Sequence, residues 1–481
     1  MPRKWWVLAA VACGTFMATL DSSIVNIALP TLTKELDVDL YQVKWVVIAY
    51  LLFITCLVLP FGRLADLVGR KPVFELGFTI FTAGSALCGI APTLGFLITA
   101  RVVQAIGASM LMANGPALIT SAFPSHERGK ALGTMAMVVS AGLISGPSIG
   151  GMLISEFGWR SIFWVNIPVG LTGLFLVHRF VAKDVLNRAK APFDWAGALL
   201  QTVFMVCFII VFDPPRISFS GGDAFPISRW VMVVITVIFA ALFLKIEKEV
   251  KAPLLDLSLL GNRTFWTANL ASFFTFVSFS SVSVLTPFFL EEVLKLPTRS
   301  AGLFMTAIPL TILVVAPISG RLSDKLGTQE LSFAGALIGA LSLLSMSGVF
   351  GFGMYEGVSK TGIVLALCSL GLATGLFQSP NNNAIMGAVP PNKLGVASAL
   401  LATVRNLGLV TGTGLATGLF TWRMSITSDF VASMHFTFFV AGVIALGAML
   451  ASLGRGRMQR PPQQQPIPAP TAPQGQSNPP K

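Results

Sequence analysis

Residues 5–29 form one apolar run broken by a single charged residue, Asp21, and thirteen further apolar runs follow it. An α-helix rises about 1.5 Å per residue, so about 20 apolar residues cross the roughly 30 Å hydrocarbon core of a bilayer. The runs lie at about 5–29, 43–61, 73–91, 94–118, 130–154, 161–179, 193–213, 230–246, 264–288, 300–320, 331–350, 361–384, 395–420 and 434–453. In lipid every backbone polar group must be satisfied inside its own segment. The expectation is therefore an all-α polytopic membrane protein with fourteen transmembrane helices. Long continuous runs exclude the ten-residue alternation of an outer-membrane barrel. Charged residues make up only 11% of the chain, against about 25% in soluble domains.

The net charge of +12 would suggest a nucleic-acid partner in a soluble protein. Here the placement of Lys and Arg matters more. With the N-terminus in the cytoplasm, cytoplasmic segments hold 22 of these residues and external segments 9, while Arg101 and Arg405 fall inside spans. That bias follows the positive-inside rule and places both termini in the cytoplasm. The basic balance then reflects topology, and no nucleic-acid partner is expected. The apolar run after Arg3 and Lys4 is too long for a signal-peptide core, so a retained first helix is expected.

Two sequence repeats divide the chain. GRLADLVGRK at 62–71 returns as GRLSDKLGTQ at 320–329, and Gly129 and Gly142, thirteen residues apart, align with Gly395 and Gly408. Two matches in the same order imply a duplicated six-helix unit. The expected organisation is an N-terminal six-helix bundle at 1–185, two additional helices with linkers at 186–255 and a C-terminal bundle at 256–454. A Pro/Gln-rich tail at 455–481 cannot bury a core and is expected to be disordered and cytoplasmic. Paired bundles related by an axis along the membrane normal place a substrate site at their interface.

No phosphate-binding loop, metalloprotease motif or dinucleotide fingerprint occurs. No nucleophile–base constellation points to an enzyme, and no cofactor or metal is expected. Cys13, Cys56, Cys88, Cys207 and Cys368 all lie in apolar runs, at spacings that match no metal site or disulfide framework. His126, His178 and His435 lie in loops or near span ends. The 37 Phe and 17 Met suit an apolar cavity, although most serve as core or lipid-facing residues.

Three motifs carry more information. In GRLADLVGRK, Gly62 and Gly69 permit a tight turn, and Asp66, Arg70 and Lys71 form a charged cluster. In GLISGPSIGG at 142–151, Gly142, Gly146 and Gly150 recur every four residues, Gly151 follows, and Pro147 removes a backbone hydrogen bond. In ARVVQAIGAS at 100–109, Arg101 sits inside a span, where an unpartnered charge costs at least about 2.5–3.5 kcal/mol.

Together these motifs resemble the major facilitator superfamily. The first is similar to its signature loop, whose Asp latches the two halves; the resemblance places Asp66 opposite the start of the thirteenth helix near Gly395. The second copy keeps Asp324 and Gly327 without the Arg-Lys pair. GxxxGPxxGG resembles the superfamily's antiporter motif, and RxxQxxGA its fourth-helix motif, whose Arg is implicated in proton coupling; Ala105 replaces a common glycine there. LDSSIVNIALP at 20–30, WRSIFWVNIPVG at 159–170 and FDWAG at 193–197 resemble the fourteen-helix drug:proton antiporter branch, of the EmrB and QacA kind. The resemblance covers all fourteen spans and leaves out the tail.

Depth counting brings Asp21 and Arg101 to similar heights. Asp21 lies about 24 Å up the first helix, and Arg101 about 10 Å below the outer edge of the fourth. Pro147 falls about 25 Å up the fifth, also in the outer half. An adjacent Arg favours the carboxylate, and burial favours the carboxylic acid, so protonation can follow conformation. Two roles fit Asp21: a proton carrier, contested by a cationic substrate, or a structural hydrogen-bond acceptor. Arg405 lies about 15 Å deep. It fits either an anionic substrate group, a cross-bundle partner for Asp21, or a structural donor to carbonyls. Asn26 joins Asp21 and Arg405 as a candidate substrate contact.

The expected function is an inner-membrane, proton-coupled antiporter that exports hydrophobic or amphipathic compounds, with cations as one option, as a monomer. A periplasmic adaptor is left open. The rival readings are a dedicated exporter of a fatty acid, lipid or metabolite, and a non-transporting sensor or scaffold on the same fold.

Overall fold

The computed structural model describes residues 3–182, 194–212, 229–250, 259, 261–349, 354–355, 357–390 and 394–455. The tail after Arg455, the linkers at 183–193, 213–228 and 251–258, the side chains of His126 and Asp324, and the surroundings of Gly395 lie outside them.

Helices overlie every apolar run. They are α1 (Arg3–Glu35), α2 (Leu40–Val43), α3 (Trp45–Val68), α4 (Arg70–Gly89), α5 (Leu94–Ala122), α6 (Ser125–Phe157), α7 (Ser161–Trp164), α8 (Asn166–Phe180), α9 (Trp195–Phe212), α10 (Arg229–Glu249), α11 (Arg263–Phe288), α12 (Thr298–Met305), α13 (Ala307–Leu326), α14 (Thr328–Met346), α15 (Lys360–Gly387), α16 (Leu394–Thr427) and α17 (Phe430–Leu453). One π-helical turn, Phe289–Val293, extends α11. Among the described residues eleven helical stretches are long and apolar enough to cross a membrane. This is a polytopic all-α membrane protein. The other three expected spans are helical too, as α6, α9 and α16, but lie outside that set.

Caps set the helix boundaries. Asp39 closes a capping box with Gln42 at α2, and Thr93, Ser359 and Asp429 accept backbone N–H groups at the starts of α5, α15 and α17. The repeated loop has one backbone shape in both copies. Gly69 ends α3 at φ 104° and Gly327 ends α13 at φ 106°, in the region that glycine occupies most readily.

Among residues up to 182, α1 packs on α5, α6 and α8, and α5 also packs on α3 and α4. Among residues from 259 on, α11 packs on α16 and α17, and α15 on α13 and α14. These two groups meet along two outer seams, α3 against α16 and α6 against α12 and α13, and also where α1 touches α11. The α9–α10 pair lies by the first seam, with α9 touching both α3 and α16.

Both described chain ends lie on one face. Arg3 Nε donates to the Phe180 carbonyl at 2.8 Å, and Arg263 Nε to the Gly454 carbonyl at 2.8 Å. This is called the terminal face, and the opposite one the distal face. Large apolar side chains are exposed along α10 (Trp230, Val234, Val237, Ile238) and α13 (Leu310, Val314, Ile318). In water such surface would drive association, whereas a bilayer's hydrocarbon solvates it.

Candidate functional site

Asp21 and Arg101 meet. Both are buried, at 0% and 1% exposure, and Arg101 Nη1 bonds Asp21 Oδ2 between α1 and α5. Two amides complete the carboxylate's shell. Gln104 Nε2 donates to Oδ1 at 2.8 Å and Asn166 Nδ2 donates to the same oxygen at 3.0 Å. Four helices thus converge on one carboxylate: α1 supplies the acid, α5 the cation and one amide, α8 the second amide, and α4 the Ser85 hydroxyl that bonds Gln104 at 2.8 Å.

The guanidinium has further partners on α5 and α3. Arg101 Nη1 also donates to Gln104 Oε1 at 2.6 Å, and Nε donates to the Val46 carbonyl of α3 at 3.0 Å. Tyr50 lies flat against it, with the ring centroid 3.9 Å from Cζ, and Phe163 stands 5.8 Å away. A cation over an aromatic face is attracted by the ring quadrupole, more so when desolvated. Tyr50 is itself held by a 3.4 Å bond to the Ala18 carbonyl. Added hydrogen bonds offset part of the cost of taking such an ion pair out of water. Loss of any donor, or entry of a proton, unbalances the set.

The glycines of GLISGPSIGG bring α6 onto α1 beside this carboxylate. A methyl group on Gly142 would stand 3.1 Å from both the Leu20 amide nitrogen and the Phe16 carbonyl oxygen. One on Gly146 would run into the Ser23 side chain, and one on Gly150 would stand 2.7 Å from Ile24 Cγ1. Small residues here let two backbones approach closely, as packing in lipid requires. The remaining motif residues face the second group of helices. A methyl on Gly151 would stand 2.8 Å from the Thr298 carbonyl oxygen, and one on Gly302 would run into the Pro147 carbonyl. The Ser148 and Thr306 hydroxyls bond at 2.5 Å between α6 and the α12–α13 junction. One helix therefore touches the acid-bearing α1 on one side and the opposite group on the other.

Other expected residues lie apart from this centre. Asp66 Oδ1 accepts from Arg70 Nη2 at 3.1 Å on the terminal face, and Lys71 Nζ donates to the carbonyls of His178 and Val181 at 2.9 Å each. Gly62 faces Ala113 of α5. Asn26 lies one turn past Asp21 on α1, with its buried Oδ1 lacking a hydrogen-bond partner. Arg405 lies on α16 and is not among the Asp21 ligands, whose places Arg101, Gln104 and Asn166 fill.

Gln104, Asn166, Ser85 and Tyr50 were not singled out from the sequence. Gln104 and Asn166 stand inside the motifs ARVVQAIGAS and WRSIFWVNIPVG, so the signal was there as an amide within each apolar run. A second buried arginine was also missed. Arg455, at the end of α17, donates to Ser332 Oγ at 3.0 Å and to Asn381 Oδ1, and burial lowers its guanidinium to about 10.

A sequence model of the Major Facilitator Superfamily matches residues 11–413. The chain belongs to that superfamily. It is 37% identical over 459 residues to the riboflavin transporter RibZ of Clostridioides difficile, spanning 94% of this chain and 97% of that protein. It is 31% identical to the multidrug resistance protein Stp of Mycobacterium tuberculosis, over 84% of this chain and 74% of Stp. It is 30% identical to the methylenomycin A resistance protein of Streptomyces coelicolor, over 84% and 83%. A superfamily with such members points to transport of small molecules across a membrane rather than to catalysis.

Proposed function

We propose that this superfamily member is a proton-coupled antiporter of the fourteen-helix branch, exporting hydrophobic or amphipathic compounds across the cytoplasmic membrane with both termini inside. The two groups of helices act as six-helix bundles that rock about their seams, with α9 and α10 as the inserted pair. The observation that carries the reading is the buried Asp21–Arg101 pair beside the glycine face of α6.

In this mechanism the distal face is external. Outward opening hydrates Asp21, which takes a proton; closure buries the neutral acid, and inward opening releases the proton to the cytoplasm. Arg101, Gln104 and Asn166 stabilise the carboxylate that is left. A substrate cation competes for the same charge. Each proton moving inward supplies about 2.3 kcal/mol per 100 mV of potential, plus the pH gradient. Gly142, Gly146 and Gly150 keep α6 sealed on α1 so that the proton does not leak, and the Asp66 cluster latches the terminal face.

A second substrate reading rests on the 37% identity to a riboflavin transporter along nearly the whole chain. Under it the cargo is a single planar aromatic metabolite. Proteoliposomes with an imposed pH gradient test both. Export of ethidium and of riboflavin is measured for the wild type and for Asp21→Asn. Gradient-driven movement of ethidium supports a drug pump, and movement of riboflavin alone supports the metabolite exporter. If Asp21→Asn responds to the gradient as steeply as the wild type, the role given to Asp21 is wrong.

A further inference from the structure

The distal face carries ionisable groups that the Asp21 centre does not use. Lys34, near the end of α1, pairs with Glu292 of the π turn at 2.9 Å and so bridges the two groups of helices. A hollow of about 350 Å3 opens beside this bridge, lined by Lys34, Asp39, Glu292, Phe288, Phe420 and Phe430 among others. Further along the same face Arg299 reaches Glu156 at 4.0 Å.

Glu291 differs from its neighbour. Glu292 is 37% exposed and engages Lys34, whereas Glu291 is 8% exposed and its Oε1 is buried without a hydrogen-bond partner. Thr298 of α12 is its hydrogen-bonding neighbour, and Lys34 and Glu292 are the charges closest to it. Other ionisable groups stand nearby along the chain: Glu35 and Asp37 after Lys34, Asp39 before α2, Lys295 after the π turn and Asp429 before α17. Asp39 caps α2, and Asp429 caps α17. Lys295 follows the π turn at positive φ, and α16 and α17 bring Phe420 and Phe430 to the hollow. A carboxylate needed only as a second partner for Lys34 would face the hollow as Glu292 does.

We propose that Glu291 is a second proton-binding site, holding a proton while the Lys34–Glu292 bridge is shut and releasing it to the distal side when the two groups part. A buried carboxylate with an unpartnered oxygen carries a large desolvation cost, which protonation removes. Opening the hollow hydrates Glu291 and removes the reason to hold the proton. The proton enters and leaves from the same side, so none is carried across. Its effect is to bias the equilibrium: acid on the distal side favours the shut bridge. This rests on the rocking of the two groups proposed above, and not on Asp21 as the coupling site.

The test uses the full chain in lipid nanodiscs. Spin labels are placed at Glu35→Cys and Ser428→Cys, both exposed on the distal face. Cys13 and Cys368, the two cysteines that are not fully buried, are replaced by serine. Distance distributions are read between about pH 5 and about pH 8, a range that spans carboxylic acids with modest to large environmental shifts. The short-distance population should grow relative to the long one as pH falls, by at most about tenfold per unit, the limit for one proton. Glu291→Gln should stay short at every pH, and Glu291→Asp should keep the response. Lys34→Gln should lower the short population at each pH with the slope retained, and Asp21→Asn should leave the slope in place. A wild-type distribution that ignores pH overturns the proposal. So does a Glu291→Gln variant that keeps the slope, including the case in which Asp21→Asn abolishes it.

Discussion

Asn166 donates its amide to Oδ1 of Asp21 at 3.0 Å, joining the start of α8 to the middle of α1. That bond ties the ionisation of one carboxylate to the position of a helix 145 residues away in sequence. It also makes Asn166 a sensitive position for testing the centre.

Asn166→Leu should remove one donor to the carboxylate without disturbing Arg101. A hydrogen bond to a charged group is worth about 1.5–3 kcal/mol, and about 1.4 kcal/mol corresponds to a tenfold change in rate. Gradient-driven transport should therefore fall by about tenfold or more. Initial rates of substrate export across a pH series check this.

Arg101→Met should strand Asp21 as a buried, uncompensated charge, a loss of about 3–5 kcal/mol. Adding Asp21→Asn should recover most of the thermal stability without recovering gradient-driven transport. Melting curves in detergent, run beside the transport assay as a double-mutant cycle, check both.

Gly146→Ala should push α6 off α1, because the new methyl overlaps the Ser23 side chain. Overpacking of this kind costs about 1–3 kcal/mol. Transport should fall about tenfold, and Ser23→Gly in the same protein should restore much of it. Equal rates in the single and double variants would break the link between this contact and transport.

Asp66→Asn separates a latch from a surface anchor. The Asp66–Arg70 pair is partly exposed, so its contribution to stability is under about 1 kcal/mol. The melting temperature should hardly change. The transport rate should drop several-fold if the pair helps to hold the terminal face shut, and a variant with wild-type rates would leave the loop as an anchor.

The helices were legible because lipid demands long apolar runs, and that demand is written directly into the chain. The similar heights of Asp21 and Arg101 were legible, since helix rise converts sequence position to depth, but their contact was not, and Arg405 stood open as another partner. The amides were harder. Gln104 and Asn166 look like ordinary polar residues within spans, and only the rotation of α5 and α8 about their axes aims them at Asp21. Glu291 was hidden for a related reason. Two adjacent glutamates at a span end carry no mark of which is buried, and a turn of π-helix sends one into the hollow and buries the other. Asp66 was expected opposite Gly395; the structure places it 3.1 Å from Arg70, and the surroundings of Gly395 lie outside the described residues.

The contact of α9 with both α3 and α16 gives the molecule a blind side. Along that seam protein stands where lipid tails would otherwise reach the gap between the two groups. Among the described residues no such pair stands along the α6–α13 seam. The bilayer thus meets a wall of protein at one seam and a bare joint at the other, so the two sides of the molecule offer lipid different surfaces.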